Sequence, residues 1–179
     1  MNSKIIPMAV INPSATAESL EAKQPNIDNG AEIYGKDGYF SAGQMQREWD
    51  KVWTESWLIA GVSTDLQAPG DYFLFRVRSE SIIVTQTEEG VKAFYNVCPH
   101  RGARLLTEER GNKKVFVCPF HSWSFRNSGE LRTITDEETF QEPVICHRPG
   151  LTPVACEEHA GLIFVSMADN PTPLQESIG

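Results

Sequence analysis

Two short ligand runs constrain this chain more than anything else in it: Cys98-Pro99-His100-Arg101-Gly102 and Cys118-Pro119-Phe120-His121-Ser122-Trp123. Each joins one thiolate to one imidazole, as C-x-H in the first and C-x2-H in the second. Thiolates suit zinc or iron–sulfur clusters and imidazoles suit zinc or iron, so two of each complete a four-ligand site. Zinc modules usually pair like with like, with two thiolates on one knuckle and two imidazoles on the other. Mixed knuckles let each loop give a thiolate to one metal and an imidazole to a second, which is what a [2Fe–2S] centre with two Cys and two His ligands requires. A structural zinc site is the alternative, and unligated core Cys and His the plain reading. Either metal needs the two loops delivered tip to tip, and β-hairpins do that.

Around the loops the chain reads as short strands and turns. Trp57 to Val62, Tyr72 to Val77, Ile82 to Gln86 and Val91 to Val97 are rich in Val, Ile, Phe and Tyr and are punctuated by Pro69-Gly70-Asp71 and Glu88-Glu89-Gly90. That pattern predicts a mainly β fold, an antiparallel sandwich or small barrel. Val115 to Val117 and Trp123 to Phe125 flank the second ligand run as a hairpin, and Val154 to Glu157 and Leu162 to Met167 return as strands about Gly161. Upstream, Ser41 and Gln44 form a capping box, and Met45, Trp49, Val52 and Trp53 recur at helical spacing. This predicts one short N-terminal amphipathic helix packed on a sheet. Residues 1 to about 30, with Pro7, Pro13 and Pro25, read as a mobile arm, 132–150 as a polar surface excursion, and Asp169-Asn170-Pro171-Thr172-Pro173 as a linker. The expected organisation is a flexible arm over 1–38, one domain over 39–168 and a linker over 169–179.

A chain of 179 residues is long enough for one well-buried domain. Its formal charge of −8 argues against a nucleic-acid or anionic-membrane surface. No apolar run approaches the roughly 18–20 residues that span a bilayer. Pro7 interrupts the apolar stretch from Ile5 to Ile11, and a twin-Arg signal is absent, so the chain reads as cytoplasmic. Cys98 and Cys118 are spaced as ligands, and Cys146 and Cys156 read as small buried residues rather than as half of a disulfide framework. His147 and His159 stand in no Cys-x or Cys-x2 relation and read as ordinary polar residues.

With Asn96 before the first run, Gly129-x-Leu131 after the second, and Trp53, Trp57, Ala60-Gly61 and Pro69-Gly70-Asp71-Tyr72 upstream, the sequence from about Tyr39 onward resembles a known domain. It is similar to the N-terminal Rieske domain of the large (alpha) subunit of ring-hydroxylating, Rieske non-haem iron oxygenases. The resemblance implies a Rieske-type fold and one [2Fe–2S] cluster. Cys98 and Cys118 would hold the iron that stays ferric, and His100 and His121 the iron that is reduced. It also implies electrons from a ferredoxin or flavin-dependent reductase, and an oligomer of like subunits. The electrons would pass to a mononuclear Fe(II) in a catalytic domain absent from this chain, for oxygenation of an aromatic substrate.

Ser122 departs from the family pattern, in which Gly is the commoner residue, and is strained there if the position needs positive φ. High-potential Rieske proteins carry an additional Cys in each loop; Ala103 and Phe120 occupy those places here, so the resemblance is to the soluble oxygenase type. A stand-alone Rieske ferredoxin is the alternative function, with length and the Trp-bearing helix favouring the oxygenase. No catalytic residue is expected in the chain itself. Beyond the ligands only His147 and His159 remain, and Pro149, Gly150 and Pro153 between them preclude a compact iron-binding triad on one helix. Trp123 reads as a packing shield or an electron path. Arg101 and Arg104 read as a docking site for an acidic donor or a neighbouring subunit, or as ion-pair partners of Glu108 or Glu109.

Overall fold

The computed structural model describes residues 35–140 and 149–179. Cys146 and His147 lie outside them. The chain divides into two compact units, Met1–Gln44 and Met45–Gly179. The described part of the first holds α1 (Asp37–Phe40) and the start of α2 (Ala42–Glu48). Ser41 Oγ accepts a hydrogen bond from the Gln44 amide at 3.1 Å, the expected helix cap.

In the second unit α2 continues into a π-helical turn, Trp49–Trp53. The apolar stripe predicted from the spacing is present but is not packed on a sheet: Met45, Val52 and Trp53 are exposed by 51%, 50% and 42%. Trp49 is covered by the Arg78 guanidinium, 5.1 Å from its ring centroid, and Arg78 Nη2 also donates to Gln46 Oε1 at 2.9 Å. Periodicity identifies an apolar face; it does not say that the partner for that face lies in the same chain.

Among the described residues ten strands follow: β1 (Leu58–Val62), β2 (Asp71–Val77), β3 (Glu80–Thr87), β4 (Gly90–Tyr95), β5 (Arg110–Asn112), β6 (Val115–Val117), β7 (Ser124–Arg126), β8 (Leu131–Thr133), β9 (Pro153–His159) and β10 (Leu162–Ser166). Seven form an antiparallel sheet in the order β1-β10-β9-β4-β3-β2-β5, and β6-β7-β8 form a second, smaller one. The domain is mainly β and antiparallel, as the strand spacing required.

β3 explains why its sequence reads as an unbroken apolar run. Ile83 faces one core with Tyr72, Leu74, Phe94, Phe116, Trp123 and Phe125, while Ile82 and Val84 face another with Phe73, Ala93, Val154, Ile163 and Val165. Ile82, Ile83 and Val84 are all fully buried. A strand covered on both faces cannot alternate apolar with polar, and each such side chain contributes about 1.5–3 kcal/mol of burial. The first of these cores lies beneath the ligand loops and includes Cys98 and Cys118.

β5 and β8, three residues each, were not foreseen from the sequence. β5 is exposed throughout and β8 is mostly so, so neither carries the apolar alternation that betrays a strand. At the other end, Trp57 Nε1 donates to the Thr172 carbonyl at 2.7 Å, and α3 (Leu174–Ile178) buries Leu174 to 1% exposure. Among the described residues no helix is long and apolar enough to cross a membrane.

Candidate metal centre

Both ligand loops are the same turn. In the first, the Gly102 amide donates to the Cys98 carbonyl at 2.9 Å and the Cys98 amide to the Ala103 carbonyl at 2.8 Å. In the second, the Ser122 amide donates to the Cys118 carbonyl at 3.0 Å and the Cys118 amide to the Trp123 carbonyl at 2.7 Å. The fourth residue after each Cys is left-handed, Gly102 at φ 71° and Ser122 at φ 56°. Gly adopts that conformation freely, whereas a residue with a Cβ is strained by about 1 kcal/mol. Ser122→Gly is therefore expected to raise stability by up to about 1 kcal/mol, measured as an upward shift of the urea midpoint at unchanged m-value; a lowered midpoint would show that the Ser122 side chain is needed.

The first loop hangs between β4 and β5 and has no hairpin of its own. Asn96, 2% exposed, holds it together. Its Oδ1 accepts from the Leu105 and Leu106 amides at 3.1 and 2.9 Å, and its Nδ2 donates to the Leu106 carbonyl at 2.7 Å and to Ser81 Oγ at 3.1 Å. This ties the far end of the loop to β3. Asn96 belongs to the family pattern, but its partners are nine, ten and fifteen residues away, beyond any local signal.

The four ligand candidates come together as two like pairs. Cys98 and Cys118, 1% and 2% exposed, lie beside each other, and the His100 and Arg101 amides point at the Cys98 sulfur. The His100 and His121 rings meet edge to face with centroids 4.6 Å apart. The Nδ1 atoms of both histidines are buried and without a hydrogen-bond partner. Burial first, then the neighbouring Cys118, pushes the Cys98 thiol up to about 11, against the pull of the two amides. Burial, with His121 and Arg101 beside it, holds the His100 imidazole below its ordinary value. Two thiols and two imidazoles whose buried Nδ1 atoms lack a partner make up the two-Cys, two-His donor set of a [2Fe–2S] group, and the site fits such a group.

Trp123, 2% exposed, stacks on His100 with centroids 4.6 Å apart and planes 4° apart. Phe120 leans on His121 at 4.0 Å and is 62% exposed. Beside the histidines lies a groove of about 400 Å³ lined by His100, His121, Trp123, Asp136 and Phe140 among others. Arg101 and Arg104 are exposed. Glu108 and Glu109 pair elsewhere, with Lys113 at 3.3 Å and Arg76 at 2.8 Å, so the local ion pairs considered for the two arginines are not formed. His159 closes β9 on an exposed position.

Two cysteine turns presenting thiols and imidazoles above an antiparallel β core define an iron–sulfur class of domain. Residues 56–147 match the Rieske [2Fe-2S] domain family, and the chain belongs to it; domains of this family bind a [2Fe–2S] cluster. Over 144 residues the chain is 33% identical to the carnitine monooxygenase oxygenase subunit of Acinetobacter baumannii, covering 78% of this chain and 38% of that protein. Over 150 residues it is 33% identical to the naphthalene 1,2-dioxygenase large oxygenase component of Pseudomonas putida, covering 82% and 32%. A solved quaternary ammonium Rieske monooxygenase, described for carnitine oxidation and inter-subunit electron transfer, superposes with a TM-score of 0.75 at 30% identity, over 81% of this chain and 40% of that one. The chain thus spans less than half the length of these relatives.

Proposed function

We propose that this chain is the electron-transfer domain of a Rieske oxygenase, holding its [2Fe–2S] cluster through Cys98 and Cys118 on one iron and His100 and His121 on the other. The observation that carries the proposal is the pair of buried, partnerless imidazole Nδ1 atoms beside the paired thiols. When bound, the group supplies a one-electron couple whose reduced form carries one more negative charge than the oxidised form. The chain's own part is to position and insulate. Asn96 sets the loop of Cys98 and His100, the His100 and Arg101 amides favour negative charge on the Cys98 sulfur, and Trp123 keeps water from one face of His100.

The donor would be a ferredoxin or flavin-dependent reductase. The acceptor would be a mononuclear iron in the portion of the relatives that this chain does not span, within an assembly of like subunits. The aromatic substrate that the family resemblance implies is one class named among the relatives. Naphthalene dioxygenase represents it, and carnitine monooxygenase, equally similar to this chain, represents quaternary ammonium compounds. The proposal is accordingly an oxygenase domain without a fixed substrate class. A stand-alone Rieske carrier would share the cluster and differ in lacking the acceptor iron.

The purified, reconstituted chain is expected to contain two iron and two labile sulfides and to show a midpoint potential on the order of −150 to 0 mV, the low end of the Rieske range. Iron and sulfide analysis with protein-film voltammetry tests this; a colourless protein holding one zinc would refute the cluster.

A further inference from the structure

We propose that Phe140 is a water shield for His100, making the two ligand imidazoles unequal and holding the cluster potential down. The proposal rests on the cluster reading above. Phe140 lies within the stretch 132–150 that reads in the sequence as a polar surface excursion, yet it is half-buried and packs against the core that carries both cysteines. Its ring meets His100 edge-on at 5.6 Å and 76°, and Trp123 at 5.4 Å and 72°. His100 is therefore boxed, with Trp123 on one face and Phe140 and His121 at its edges. Among the described residues His121 has no such box; its other ring neighbour there is Phe120, itself 62% exposed.

The short helical turn Glu137–Thr139 places Phe140 there, entered through Asp136 in the left-handed conformation at φ 55° and closed by the Phe140 amide donating to the Glu137 carbonyl at 3.1 Å. A backbone device of this kind, in an otherwise exposed segment, fixes one apolar side chain against one ligand. Water near the histidines would stabilise the extra negative charge of the reduced state, so excluding it disfavours reduction.

The test labels apo and reconstituted protein with diethyl pyrocarbonate, which acylates imidazoles, and maps His100 and His121 separately by mass spectrometry. In apo Phe140→Ala the His100 rate is expected to rise about fivefold while the His121 rate changes less than twofold; Phe140→Leu, which keeps an apolar cover, should stay near wild type. In the reconstituted Phe140→Ala protein the ratio of reduced to oxidised cluster at a fixed ambient potential is expected to rise about threefold, equivalent to about 28 mV at 59 mV per tenfold change. Unchanged His100 labelling in Phe140→Ala, equal acceleration of both histidines, or faster labelling with an unmoved midpoint overturns the proposal. Failure of the wild-type chain to take up iron and sulfide would count against the cluster reading instead, because labelling of the apo-protein decides the shield without it.

Discussion

Cys98→Ser or Cys118→Ser is expected to abolish cluster binding altogether: no labile sulfide, no visible iron–sulfur absorption and less than a tenth of the wild-type iron after reconstitution. A serine hydroxyl is a harder and far less acidic ligand than a thiol, so it neither deprotonates readily nor satisfies the soft side of iron. Both positions are almost fully buried, so no water-borne ligand can easily stand in. The turns around them are closed by main-chain bonds, so the far-ultraviolet circular dichroism of the β domain should be retained. Cys156→Ser serves as the control, since that thiol lies on β9, away from the ligand loops. Retention of a full cluster in either Cys98→Ser or Cys118→Ser would remove that residue from the ligand set.

Asn96→Ala is expected to be the most damaging single change outside the ligands. It leaves two amides, one carbonyl and one hydroxyl without the partner they have now. Each group so orphaned in the interior costs about 1–3 kcal/mol, and with partial rehydration the sum is roughly 3–5 kcal/mol. For a domain of this size that lowers Tm by on the order of 10 °C. Asn96→Asp keeps the acceptor for Leu105 and Leu106 but loses both donations, and should fall between. Thermal melts of the apo-proteins measure this; a Tm for Asn96→Ala within 2 °C of wild type would show that the loop is held by other means.

The parts of this fold that were legible in the sequence are those written in short-range chemistry. β2, β3, β4 and β10 carry runs of Val, Ile and Phe between Gly and Pro turns, and the mixed thiolate and imidazole spacing pointed to a [2Fe–2S] centre, with structural zinc as the alternative. The strain at Ser122 was signalled by the family pattern, in which Gly is the commoner residue, and the position is indeed left-handed. What was hidden depends on partners far along the chain or outside it. Asn96 gives no hint of its four bonds, and Phe140 is one aromatic in a polar stretch. Met45, Val52 and Trp53 look like core residues because spacing records a face and not its cover. Arg78, in the β2–β3 turn at φ 53°, clasps Trp49 from a position that no motif marks.

The identity of the two cysteine turns bears on the order in which the centre is assembled. Each turn is completed by a pair of peptide-to-peptide bonds, from Cys98 to Gly102 and Ala103 and from Cys118 to Ser122 and Trp123, and neither pair involves a ligand atom. In a zinc finger the ion recruits the polypeptide, and binding free energy doubles as folding free energy. Here main-chain bonds close each turn without a ligand atom, so part of the conformational entropy of the loops is lost when the chain folds.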